Sequence, residues 1–310
     1  MAGPNSRNEL ARAMEDVLNA LVSRDRAGAV LAPDARYTEN GQELAIGDGL
    51  WGTADRLGTY RHVFADEDSG TAGCFTTIDE GSARSILALR IQFAQGAVSE
   101  IEAVIVRPGL MGSVAAYADG PDRLDKAGAP DPAWATAIPS NERLSRAGLQ
   151  RIADAYFSAI EGNDGKGDYP FADDCVRMEH GYRTSGEPDA RDAGMQRDPD
   201  TPYAPDLKAM GVREQFETGF FRFVTNIRDR RFVAIDPELG VVFAMAFFDH
   251  SGTVRDYALA DGTPVSANLS QPFAWQIAEA FKIENGLITH IEAVLNPCPY
   301  GMKPNWPARR

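Results

Sequence analysis

Phe93–Val104 reads FAQGAVSEIEAV, and Ile283–Val294 reads IENGLITHIEAV. The two stretches lie 190 residues apart and share an apolar start, a Gly-containing turn and an Ile-Glu-Ala-Val ending. Moving outward, RHVFADEDSG (Arg61–Gly70) matches RFVAIDPELG (Arg231–Gly240) at an offset of 170, each followed by an apolar run that closes on Asp79 or Asp249. LAPDARYTENG (Leu31–Gly41) matches FADDCVRMEHG (Phe171–Gly181) at an offset of 140. Leu10–Asp25 matches Leu149–Asp164 at an offset of 139, and both segments place apolar residues at helical spacing. Four matches in the same order define an internal duplication.

Because the offsets grow from 140 to 170 to 190, the second copy carries about 30 and 20 extra residues. They fall near 182–215 and 251–272, which are rich in turn-forming residues and read as lids, binding loops or interface segments. The Pro-, Gly- and Asp-dense stretch from Ala115 to Asn141 reads as a linker, giving a first domain over 1–114 and a second over 142–310. Each copy runs from a long helix through a short strand to a series of long strands. Asn285-Gly286 is a two-residue hairpin signal between two of them, and Gly96 marks the equivalent turn in the first copy. The expected fold class is α+β, with an antiparallel sheet curled around the N-terminal helix of each copy.

A net charge of −14 over 310 residues repels phosphate backbones and anionic headgroups, so neither nucleic acid nor a membrane surface is an expected partner. The opening MAGPNSRNEL has no apolar core of a signal peptide, and no run reaches the ~18 apolar residues of a membrane span. Cys74, Cys175 and Cys298 follow no metal or disulfide spacing, which suits buried thiols in a reducing, cytoplasmic setting. The chain has no glycine-rich phosphate loop, no Gly-x-Ser-x-Gly elbow and no Cys-x-x-Cys pair. Nucleotide cofactors and serine hydrolysis are therefore disfavoured, and the expectation is chemistry with no cofactor and no metal.

The helix, the RYTENGQ strand, the Gly-Leu-Trp segment and the paired strands ending in IEAV resemble the nuclear-transport-factor-2-like (NTF2-like, SnoaL-like) superfamily. That superfamily includes ketosteroid isomerase, scytalone dehydratase and polyketide cyclases. A more distant resemblance is to cofactorless lyases that release formaldehyde from lignin-derived diaryl compounds. The resemblance implies a cone with a deep apolar pocket, into which a few acids and bases project to move protons. It implies a lyase for a hydrophobic phenolic or diaryl alcohol, an isomerase or cyclase, or a non-catalytic binding or dimerisation module. The expected partner is a small aromatic substrate, and the expected assembly is a homodimer.

Within such a pocket, Tyr37 and Glu39 alternate around Thr38 and so share one strand face. They are candidates for phenol donor and carboxylate base, with Asn40, Trp51, Tyr60 and Arg61 in binding roles; equally, Trp51 could fill core and Arg61 could pair with a surface acid. In the second copy the set is Glu179, His180, Tyr182, Arg222, Phe221, Phe247, Asp249 and His250, with His180 and Asp249 as candidate catalytic groups. His180, His250 and His290 stand where the first copy has Asn40, Glu80 and Glu100, as expected if one pocket is tuned for proton transfer or if strand ends drift freely. Asp249 aligns with Asp79, so a shared turn role competes with catalysis. Arg222 could stabilise an oxyanion or reach solvent.

Overall fold

The computed structural model describes residues 5–107, 118–186, 207–266 and 271–306. Helix α1 (Arg7–Ser23) begins at a capping box in which the Glu9 backbone N–H donates to Ser6 Oγ and the Ser6 backbone N–H donates to Glu9 Oε2. Its buried stripe of Leu10, Met14, Val17, Leu18 and Leu21 repeats at three and four residues. The stripe lies against a sheet of β1 (Leu31–Glu39), β2 (Gln42–Leu44), β3 (Arg56–Asp66), β4 (Thr71–Glu80), β5 (Ala83–Ala94) and β6 (Ala97–Val106). A short helix, α2 (Leu50–Thr53), carries the chain from β2 at one sheet edge to β3 at the other.

Between the halves lies α3 (Gly120–Ala127), which packs on β3, β4 and β5. The second half opens with α4 (Arg146–Ile160) and continues with β7 (Phe171–Glu179), β8 (Tyr182–Arg183), α5 (Val212–Glu217), β9 (Asn226–Asp236) and β10 (Val241–His250). A separate two-stranded hairpin follows, β11 (Asp256–Ala258) with β12 (Pro264–Ser266), before β13 (Phe273–Glu284) and β14 (Leu287–Cys298) complete the large sheet.

The large sheets have the same strand order, β2-β1-β6-β5-β4-β3 and β8-β7-β14-β13-β10-β9. They correct one expectation: neither is wholly antiparallel. β1 runs parallel to β6, and β7 runs parallel to β14. The first strand of each half docks beside the last, a long-range pairing that no local turn fixes. The hairpin turns do behave as read: Asn285 (φ 52°) and Gly286 (φ 81°) match Gln95 (φ 55°) and Gly96 (φ 80°).

β4 and β10 are buried along almost their whole length because both faces are covered. One face of each sheet meets its own helix. The opposite faces meet each other through Phe64, Phe75, Val104, Val233, Phe243, Met245 and Val294. Phe64 and Phe243 stack at 5.0 Å. A Cβ on Gly73 would stand 2.4 Å from the Phe243 ring, so only glycine lets the sheets approach this closely.

Of the two insertions read from the sequence, residues 187–206 and 267–270 lie outside the described residues, as do 115–117 of the linker. The described part of the first insertion includes the start of α5, whose Val212, Gln215 and Phe216 pack inside the second half. Beyond β14 the chain crosses back to the first half, where the Trp306 indole N–H donates to Thr38 Oγ1 at 2.8 Å. Among the described residues no helix is long and apolar enough to cross a membrane.

Candidate functional site

In the first half, β1 points Tyr37 and Glu39 inward. The Tyr37 hydroxyl donates to Glu39 Oε2 at 2.7 Å, and the Leu50 backbone N–H donates to the same oxygen at 2.7 Å. Gly49 (φ 58°) makes this approach possible, because a Cβ there would lie 2.3 Å from Glu39 Oε2. Arg107 donates to Glu39 Oε1 at 2.7 Å and also holds Glu80. Burial, reinforced by the adjacent carboxylate, raises the Tyr37 pKa far above the ordinary phenol value. Trp51 is core, edge-on to Tyr37 at 6.4 Å. With both Glu39 oxygens engaged, the cluster fastens α2 to β1 and offers no free base.

Asn40 (φ 46°) closes the turn after β1, exchanging hydrogen bonds with the backbone of Ile105. His180 (φ 51°) does the same work in the second half, where its Nε2 accepts the Leu295 backbone N–H at 3.3 Å. Burial pulls the His180 pKa down to about 4, so the ring is neutral and serves as a turn clamp, which corrects its expected role as the acid. His180→Asn is accordingly expected to change unfolding free energy by no more than about 1 kcal/mol, since Asn tolerates this backbone and reproduces Asn40. Denaturant titration of the variant checks this.

Asp249 shares its side of β10 with Phe243 and Met245, which face the other sheet, whereas Val242, Ala244 and Phe248 face α4. It is therefore outside the cone, where Arg228 Nε (2.9 Å) and Asn226 Nδ2 (3.2 Å) donate to its Oδ2. Arg56 and Arg84 hold Asp79 in the same way. The two aspartates thus share a structural role, which stands in place of the catalytic one expected of Asp249. Phe247 is on this outer face too, with the Arg228 guanidinium 4.6 Å from its ring centre.

The remaining residues scatter. His250 stacks on Phe273 at 4.4 Å, and burial lowers its pKa to about 4. Tyr182 lies under Arg123 of α3 at 4.1 Å. Arg222 donates weakly to the Asn163 carbonyl (3.4 Å) and sits 5.7 Å from Tyr257. Arg61 bonds to the Gly58 and Tyr60 carbonyls and to Thr76, with Glu15 3.4 Å away. Tyr60 leaves the first half altogether: its hydroxyl donates to Glu292 of β14 at 2.9 Å, between the sheets.

Only Glu179 and Phe221 of the expected second set border the polar group that the structure places inside the second half. That group centres on Glu279 of β13, which is 2% exposed between the inward-facing Ile277 and Phe281. Tyr156, on the buried face of α4 with Leu149, Ala153 and Ile160, donates its hydroxyl to Glu279 Oε1 at 2.7 Å. Glu279 Oε2 has no hydrogen-bond partner among the described residues. The Phe281, Phe216 and Phe171 rings lie 5.0, 5.7 and 6.0 Å from that of Tyr156.

Burial pushes the Glu279 carboxyl up to about 8; the Tyr156 hydrogen bond opposes this, Glu179 adds to it, and Arg177 opposes it. Arg177 itself is buried, paired with Glu179 at 3.2 Å and hydrogen-bonded to Thr184 and Gln215. The signal for this site was in the repeat. At the established offsets, Glu279 replaces Leu89 and Tyr156 replaces Val17, so an aliphatic pair in one copy is a carboxyl–phenol pair in the other.

Glu279 also imposes a pH dependence on stability. Its folded pKa lies above the ordinary ~4.3 of an unfolded glutamate, so the unfolded chain loses this proton first as pH rises. The contribution is complete below about 4 and is lost as pH climbs through about 8. His180 and His250, with lowered pKa values, act in the opposite sense below the ordinary histidine range. Because they are common to both proteins, the stability difference between wild type and Glu279→Gln, followed by guanidinium unfolding from pH 4 to 9, isolates Glu279. That difference is expected to move steadily against the wild type as pH rises.

Residues 142–295 match a family model described as a domain of unknown function (DUF8021). No curated protein matches the chain. Among solved structures, a Kribbella flavida protein named as a candidate ketosteroid isomerase is similar at 18% identity and a TM-score of 0.25, over 34% of this chain and 82% of that one. AclR, a candidate hydroxylase of Streptomyces galilaeus, is similar at 16% identity and a TM-score of 0.28, over 36% of this chain and 87% of that one. A designed NTF2-fold protein, NT-9, is similar at 15% identity and a TM-score of 0.25, over 34% of this chain and 89% of that one.

Proposed function

We propose that the chain is a tandem of two NTF2-like domains, 1–114 and 142–310 joined by 115–141, in which the second is a cofactor-independent proton-transfer enzyme for a small hydrophobic substrate. The observation that carries this reading is Glu279: a carboxyl in an aromatic interior, with one oxygen on Tyr156, the other unengaged, and a proton affinity raised to about 8. Both of its protonation states are populated near neutral pH, as a group that takes a proton and returns it requires. Tyr156 is the positioning residue, since its hydroxyl is spent on Glu279. Phe171, Phe216 and Phe281 pack around Tyr156 and make the surroundings of the carboxyl apolar.

One carboxyl that removes and returns a proton suits isomerisation. A second reading, elimination or C–C cleavage of a phenolic diaryl alcohol, is favoured by Arg177, whose buried charge acts on both Glu279 and Tyr156 and would stabilise a phenolate. The test is incubation of the full chain in deuterated buffer with para-hydroxylated diaryl propanols and with steroid-like unsaturated ketones. Product of unchanged mass apart from exchanged deuterium marks isomerisation; released water or formaldehyde marks the lyase. Either must disappear in Glu279→Gln and persist in Tyr37→Phe. Absence of product and of exchange across the panel, or turnover indifferent to Glu279→Gln, contradicts the proposal.

A further inference from the structure

The face between the two sheets carries a second constellation, distinct from Glu279. His62 of β3 places Nδ1 2.6 Å from Glu292 Oε2, and Tyr60 donates to both oxygens of the same carboxylate at 2.9 and 3.0 Å. Glu102, which stands at the equivalent position to Glu292, is held differently: Arg231 of β9, the counterpart of Arg61, donates to it at 2.5 and 2.9 Å and Arg90 adds a bond at 2.9 Å, while the counterpart of His62 is Phe232. Each carboxylate cluster borders a cavity, and the two cavities differ. Beside Arg231 the space is about 100 Å³ and is lined by Trp306 and Arg90. Beside His62 it is about 390 Å³, lined by His62, Phe64, Trp134, Asp236, Leu239 and Val241. Where the first cavity is hemmed in by arginines, the second presents an imidazole to an apolar space large enough for a two-ring molecule.

Nδ1 faces a carboxylate that is also fixed by Tyr60, so the tautomer that satisfies this contact carries its proton on Nδ1 and offers Nε2 as an acceptor. The Trp134 ring lies edge-on to the His62 ring at 4.6 Å, and Phe64 is 4.2 Å from it, so a planar ligand meets aromatic surface on entering. Asp131 and Asp236 on the wall disfavour an anion. We propose that this inter-sheet cavity binds a small, neutral, hydroxylated aromatic molecule, whose O–H donates to His62 Nε2 while its ring lies against Trp134 and Phe64.

The test uses the full chain and three probes, 2-naphthol, naphthalene and 2-naphthoate, with binding measured by calorimetry and the His62 ring followed by NMR. The expected result is that 2-naphthol binds about tenfold tighter than naphthalene, that 2-naphthoate binds worst, and that the His62 ring resonances shift on binding. His62→Phe should remove the preference for the hydroxyl. Ala129→Trp, a change at the exposed rim of the cavity that leaves the His62–Glu292 pair untouched, should weaken all binding about tenfold or more without altering the melting temperature. Glu279→Gln should leave 2-naphthol binding unchanged, which separates this site from the cone. The inference is overturned if 2-naphthol shows no preference over naphthalene, if Ala129→Trp binds it normally, or if only Glu279→Gln abolishes binding.

Discussion

Glu279→Gln is expected to lower turnover by about two to four orders of magnitude, the usual worth of a positioned acid–base group. Glutamine matches the shape and still accepts the Tyr156 hydroxyl, so Phe171, Phe216 and Phe281 have no reason to repack. What it removes is the ability to hold a proton in one state and release it in the other. Tyr156→Phe serves as the intermediate case. It leaves the carboxyl but deletes the hydrogen bond that holds its pKa down, so the midpoint of the pH–rate profile should rise while residual turnover survives. A structural role alone would move stability in both variants and shift no pH profile.

The second large effect is structural. Glu102 lies between Arg90 and Arg231, and all three side chains are almost wholly buried. Glu102→Ala leaves the buried Arg231 guanidinium without its carboxylate and Arg90 with Glu100 alone. Removing one member of such a cluster typically costs about 3–5 kcal/mol, because the penalty is the uncompensated charge rather than the lost attraction. Guanidinium unfolding should show this loss, and replacing Glu102, Arg90 and Arg231 together with apolar residues of similar volume should restore much of it. The same change removes a contact between the halves, since β6 of one and β9 of the other meet at this pair.

Much of the architecture was legible because it is periodic. The Leu10–Leu21 stripe, its Leu149–Ile160 twin and the Asn285-Gly286 turn encode local geometry directly, and comparing the copies located the insertions. The parallel docking of β1 on β6 was not legible, because that register joins residues some 65 positions apart with no turn between them. The face assignment of Asp249 failed for a related reason. β10 is buried on both faces, so its run of apolar residues hides the alternation that would have separated inward from outward positions. Histidines drew attention by residue type, yet His180 proved to be the counterpart of Asn40 in a turn. Glu279 lies inside FAWQIAEAFKI, where residue type alone suggests an exposed acid, although the alternation sets it on one strand face with Trp275, Ile277 and Phe281. That face is covered by α4, while Ala278 and Ala280 on the opposite face meet the other sheet, so the acid becomes a buried group at the centre of the second half.

The most direct measurement is a carbon-13 NMR titration of the Glu279 side-chain carboxyl, assigned by its loss in Glu279→Gln. A midpoint near 8, falling well outside the envelope of the other glutamates, is the result expected of a dry carboxyl held by Tyr156 alone. A midpoint at the ordinary ~4.3 would show a solvated or cation-paired carboxylate, and the proton-transfer role assigned to it would fall.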